Sequence, residues 1–168
     1  MRVGILGGSF NPPHNGHLYI SKISHRYLNL NKIWWFPTIL NPFKNECNYF
    51  SFDKRILLCR DISKNYRFID IYEYNYFYAI NLVKYLNNRY PHIKFTWIMG
   101  DDNLQYLHKW YRYDEFLNLI DIAVLNRYGY INFISKYPSW HNIKKNNFTL
   151  IRNRKTIISS TQIRKKNV

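Results

Sequence analysis

Apolar and polar positions come in blocks along this 168-residue chain. Arg2-Val3-Gly4-Ile5-Leu6 is a short apolar run ahead of two glycines and predicts a buried strand. Asn15 to Leu28 places Leu18, Ile20, Ile23, Tyr27 and Leu28 near helical spacing, with His25 and Arg26 on the wet side. Lys32 to Phe36, closed by Pro37, predicts a second strand, and Thr38 to Tyr49 has no periodicity and reads as a loop. Ser51 is placed to cap a helix through Ile56, Leu57, Leu58 and Ile62, followed by a third strand over Arg67 to Ile71.

Phe77 to Tyr90 predicts a second long helix, with Ile80, Leu82, Val83 and Leu86 inward and Pro91 as its stop. Ile93 to Met99 is a fourth strand that runs into Gly100-Asp101-Asp102, where either aspartate is expected to cap a short helix through Leu104, Leu107 and His108. A further short helix over Asp114 to Leu119 precedes a strand at Ile122 to Leu125, and Phe148 to Ile151 is the last expected strand. Ile157 to Arg164 reads as a loop running into a helix. Strands alternating with helices at this pitch predict an α/β fold: an open, Rossmann-like parallel sheet with helices on both faces. Ligands of such sheets bind beyond the carboxyl ends of the strands, where Gly7–His17, Pro37–Lys44, Gly100–Asp102 and Arg127 all fall.

Composition narrows the class. Apolar residues make up 46% of the chain, enough for one domain over residues 1–168 with its own core. No apolar stretch approaches the roughly 18–20 residues of a membrane span, and the first residues do not form a signal peptide. Cys47 and Cys59 are too few for a disulfide framework or zinc site. A cytoplasmic protein is expected. The net charge is +15, and from Phe116 onward the single acidic residue is Asp121. Such a balance suits a polyanion; a nucleotide triphosphate satisfies it as well as nucleic acid does, and nucleic acid is the weaker reading.

The chemistry concentrates in Gly7 to His17, GGSFNPPHNGH. Glycines let main-chain N–H groups come close to a phosphate, and a helix start adds more of them. His14 and His17, one helical turn apart with Gly16 between them, add side-chain donors. The chain shows no Ser-His-Asp arrangement, no GxSxG and no P-loop spacing. Phosphoryl or nucleotidyl transfer fits, since positioning and charge stabilisation do most of that work. Lys44 and Arg164 suit the same role.

GGSFNPPHNGH resembles the signature of the nucleotidylyltransferase superfamily, with His14-Asn15-Gly16-His17 as its HxGH. IMGDDNLQYLHKW and the later ISSTQIR, Ile158 to Arg164, narrow the resemblance to the bacterial nicotinate-nucleotide adenylyltransferases, from Met1 to about Lys165. The resemblance implies adenylyl transfer from Mg-ATP to nicotinate mononucleotide, with Mg²⁺ arriving on ATP and no tightly bound cofactor. It implies that His14, His17, Lys44 and Arg164 contact phosphates, and that Gly7, Gly8, Ser9, Phe10, Gly16, Asp102, Ser160 and Thr161 line the ATP site. Trp110 and Tyr111 match the aromatic pair that receives the pyridine ring, with Tyr78 and Ala79 at the same subsite. Arg127, at a strand end, is placed with the substrate groups. A homo-oligomer is compatible with all of this. The chain departs from the family pattern at Ala79, Asn81, Leu82 and Asp101.

Overall fold

The structure is a computed structural model that describes residues 1–39, 50–126 and 148–152. Six strands form one sheet: β1 (Arg2–Gly8), β2 (Lys32–Pro37), β3 (Ile69–Ile71), β4 (Lys94–Gly100), β5 (Asp121–Leu125) and β6 (Phe148–Ile151). Their order is β3-β2-β1-β4-β5-β6, and every neighbouring pair is parallel. This is the doubly wound, Rossmann-like order expected from the alternation of elements.

The helices divide by face. On one side α1 (Asn15–Tyr27) and α2 (Phe52–Ser63) pack Leu18, Ile20 and Cys59 against Leu6, Ile33, Trp35 and Ile98. On the other, α3 (Ala79–Arg89), α4 (Leu104–Leu107) and α5 (Tyr113–Leu119) cover Val3, Ile5, Trp34, Phe36, Phe95, Trp97 and Ile122. The sheet is therefore apolar on both faces, which is why its strands read as continuous apolar runs rather than alternating ones. β1 lies at the centre, with Ile5 opposite Trp34 on β2 and opposite Trp97 on β4. The winding direction changes between β1 and β4, so the crevice at their carboxyl ends is where a doubly wound sheet binds its ligand.

Three local expectations change. α3 starts at Ala79, two residues late: Phe77 is exposed, and Tyr78 is extended and offers no side-chain cap. No Ser, Thr, Asp or Asn stands there to hold an earlier start. Asp101 and Asp102 are not caps but lie within a single 3₁₀ turn (Asp101–Asn103) between β4 and α4, and the cap positions are Gly100 and Asn103. Strand β3 is three residues long rather than five. Ser51 caps α2 as expected, accepting from the Lys54 N–H at 3.3 Å.

Cys59 is fully buried on the inner face of α2, and burial pushes its thiol up to about 12, against a smaller opposing pull from Arg55. The thiolate is the reactive species. Maleimide at pH 8 is therefore expected to leave Cys59 unlabelled in the native protein and to label it in denaturant, read by peptide mass mapping. Labelling of native Cys59 within minutes would contradict this burial. Among the described residues no helix is long and apolar enough to cross a membrane.

Candidate active site

Strand β1 ends in the glycines, and α1 begins seven residues after Gly8. His14 is the N-cap of α1, in extended conformation, and its Nδ1 accepts the Gly16 N–H at 3.1 Å. In return His17 Nδ1 accepts the His14 N–H at 3.1 Å. This is a reciprocal capping box in which two imidazoles do what Ser or Thr and Glu or Gln do elsewhere. It has a chemical consequence. A neutral imidazole whose Nδ1 accepts carries its proton on Nε2. Both rings are thus held as Nε2–H donors, with centroids 4.0 Å apart at the positive end of a helix.

Phe10 forms the floor. Its φ is 45°, left-handed for a bulky residue, a conformation that costs about 1–3 kcal/mol and persists only when its surroundings enforce it. The ring packs on His17 at 4.5 Å and stacks on Trp35 at 4.9 Å. Trp35 is fixed in turn by donating its indole N–H to Ser21 Oγ at 2.8 Å. Gly7 is a close approach: a Cβ there would lie 2.8 Å from the Trp97 ring and 3.0 Å from the Tyr76 hydroxyl.

Trp97 leads across β4 to the second half of the crevice. Its ring meets Trp110 edge-on at 5.9 Å and Phe116 at 5.3 Å. Trp110 is half-buried, and the next residue, Tyr111, is exposed and lies 4.5 Å from Tyr78 across the start of α3. Arg112 then takes a left-handed conformation, with its guanidinium 2.6 Å from Glu115. Glu115 also meets Lys84 of α3 at 2.6 Å, a bond that holds its carboxyl below the usual range. The Trp110–Arg112 turn is tied to α3 in this way.

The cytidylyltransferase-like family matches residues 5–166. The chain is 38% identical over 133 residues to a probable nicotinate-nucleotide adenylyltransferase of Methylorubrum extorquens, covering 77% of this chain and 72% of that protein. It is 36% identical over 168 residues to a protein of the same description from Pelagibacter ubique, covering 98% of this chain and 92% of that one. The chain belongs to the cytidylyltransferase-like family, with the nicotinate-nucleotide adenylyltransferases. In fold it is similar to a solved Plasmodium falciparum nicotinic acid mononucleotide adenylyltransferase complexed with NaAD, at TM-score 0.76 and 21% identity, covering 98% of this chain and 82% of that one.

For a nucleotidyltransferase of this family the distribution of the expected site residues matters. Gly7, Gly8, Ser9, Phe10, His14, Gly16 and His17 form one continuous unit, and Trp110 joins it through Trp97. Tyr78 and Tyr111 are in contact, and Ala79 is the first residue of α3. Asp102 follows β4, the strand paired with β1 through Leu6 opposite Ile98. Asp101 beside it is wholly buried. Lys44, Arg127, Ser160, Thr161 and Arg164 lie outside the described residues. Sequence reasoning missed Trp35, which packs on Phe10 from one face of the sheet, and Tyr76 and Trp97, which crowd Gly7 from the other. It also missed Arg55. The signal for Arg55 was present: Ser51, Arg55, Cys59 and Ser63 recur at helical spacing along one face of α2.

Proposed function

We propose that this chain transfers the adenylyl group of Mg-ATP to nicotinate mononucleotide, giving nicotinate adenine dinucleotide and pyrophosphate as a step in making NAD. The observation that carries the reading is the reciprocal capping of His14 and His17. It leaves the Nε2 of each imidazole as the N–H donor, at a helix start beside the glycine turn. The adenylyltransferase description of the relatives supports the choice of reaction.

A phosphate oxygen of the mononucleotide attacks the α-phosphorus of ATP in line. The bond from that phosphorus to the bridging oxygen breaks, and pyrophosphate leaves with the electron pair. The nucleophile is already anionic near neutral pH, so no general base and no covalent enzyme intermediate are required. The protein's work is to hold two anions together and neutralise the charge that develops. His17 serves the α-phosphate and His14 the neighbouring phosphates, both through Nε2–H. Gly7, Gly8, Ser9, Phe10 and Gly16 line the nucleotide side, with Lys44, Ser160, Thr161 and Arg164 toward the triphosphate. Asp102 is assigned to a ribose. Trp110 stacks on the pyridine ring, the main chain at Tyr111 receives its carboxylate, Tyr78 and Ala79 flank it, and Arg127 belongs to the same substrate. Mg²⁺ enters bound to ATP, and the net charge of +15 draws both anions in. Residues 1–168 act as one domain in the cytoplasm.

The test is pyrophosphate release from Mg-ATP with a panel of acceptors: nicotinate mononucleotide, nicotinamide mononucleotide and phosphopantetheine. Nicotinate mononucleotide is expected to give the highest kcat/KM. Absence of release with it overturns the reading, and preference for the amide moves the acceptor to the nicotinamide form.

A further inference from the structure

Arg55 is 2% exposed, beneath the nucleotide side of the sheet. A buried guanidinium needs its donors satisfied, and here main-chain carbonyls supply the partners. Nη1 donates to Ser9 O at 2.6 Å and to Thr38 O at 2.7 Å, Nη2 to Ile39 O at 3.0 Å, and Nε to Phe50 O at 3.1 Å. One side chain thus gathers the glycine turn, the segment after β2 and the residue before the α2 cap. Asn11 closes the same knot from the turn, its Oδ1 accepting the Phe50 N–H at 3.0 Å.

The bond to Ser9 has a directional effect. In a planar trans peptide the carbonyl and the following N–H point in opposite directions, and the Ser9–Phe10 bond is trans. Drawing the Ser9 carbonyl down to Arg55 therefore aims the Phe10 N–H away from α2. The preceding peptide is fixed separately, within the sheet, since Gly8 O accepts the Thr38 N–H beyond β2 at 2.9 Å. Rotation of the Ser9–Phe10 peptide would release Phe10 from its left-handed φ of 45°. The hydrogen bond to Arg55 opposes that release.

We propose that Arg55, with Asn11, is a positioning residue for the reaction: it locks the Ser9–Phe10 peptide with its N–H on the nucleotide side and holds Phe10 beneath His17. The inference rests on the reading of this turn as the ATP side. Lysine at this position would keep the charge, but its three donors radiate from one atom and cannot serve carbonyls spread over the fork of a guanidinium.

Arg55→Lys is expected to raise the Kd for a non-hydrolysable Mg-ATP analogue, and the KM for ATP, at least tenfold. The KM for nicotinate mononucleotide should stay within twofold. A merely structural role would not produce that split between substrates. Asn11→Ala, which leaves no buried charge stranded, should move the same two constants three- to tenfold, and it decides the matter if Arg55→Lys fails to fold. Unchanged ATP constants in a folded variant, or equal losses for both substrates, overturn the proposal. A wild-type chain that binds the analogue but releases no pyrophosphate with any acceptor would refute the proposed reaction while leaving the Arg55 test intact.

Discussion

His17→Ala is expected to lower the rate of pyrophosphate release by about 10²–10³, the scale of losing one preorganised donor aimed at developing charge. The size follows from how the imidazole is held. Its Nδ1 is occupied by the His14 N–H, and its face rests on Phe10. Its orientation is therefore set before substrate arrives. The same substitution also opens one half of the capping box, which should cost about 1 kcal/mol of stability. The two losses separate readily. Thermal unfolding should move by only a few degrees, whereas turnover at a temperature well below the transition falls by orders of magnitude. His14→Ala should show the reverse balance, with the larger stability loss because His14 is the buried N-cap. Turnover of His17→Ala within threefold of wild type would move the transition-state role to another group.

The fold was legible from the sequence because both faces of the sheet are covered. Runs such as Ile33-Trp34-Trp35-Phe36 and Ile98-Met99 had one consistent reading, and the inward residues Ile80, Leu82, Val83 and Leu86 are all buried as their spacing required. Boundaries were less legible where no side chain enforces them, as at Tyr78. In the candidate site the sequence singled out the residues of the turn and hid what supports them. The spacing of His14 and His17 pointed to phosphate, but it did not reveal that the two rings cap the helix for each other. Arginine is ordinarily a surface residue, so Arg55 passed among 25 basic residues, while Leu57 in the same helix proves 62% exposed. Composition inverts the true facing of α2 at these two positions. The reason is physical: the spacing of Ser51, Arg55, Cys59 and Ser63 marks an inward face, but three of the four carbonyls that hold Arg55, those of Ser9, Thr38 and Ile39, come from segments outside α2 and its cap.

Gly7→Ala is expected to damage both stability and activity through one methyl group. The new Cβ would lie 2.8 and 2.9 Å from two atoms of the Trp97 ring and 3.0 Å from the Tyr76 hydroxyl. Neither neighbour can yield cheaply. Trp97 is 3% exposed and wedged against Trp110 and Phe116, and Tyr76 is buried, donating its hydroxyl to Phe36 O at 3.1 Å. Overpacking of this kind costs about 1–3 kcal/mol, or a fall in Tm of about 3–10 °C at this chain length. Relief by moving Trp97 would carry Trp110 with it, and a misplacement near 1 Å costs about 10² in rate. Gly8→Ala is the contrast. Its Cβ would meet only the Phe10 ring at 3.5 Å, an ordinary contact, so its Tm should stay within about 2 °C of wild type. Any loss of activity in that variant is then a loss on the ligand side of the turn. If Gly7→Ala unfolds at the wild-type temperature with wild-type turnover, Trp97 does not link the glycine turn to Trp110.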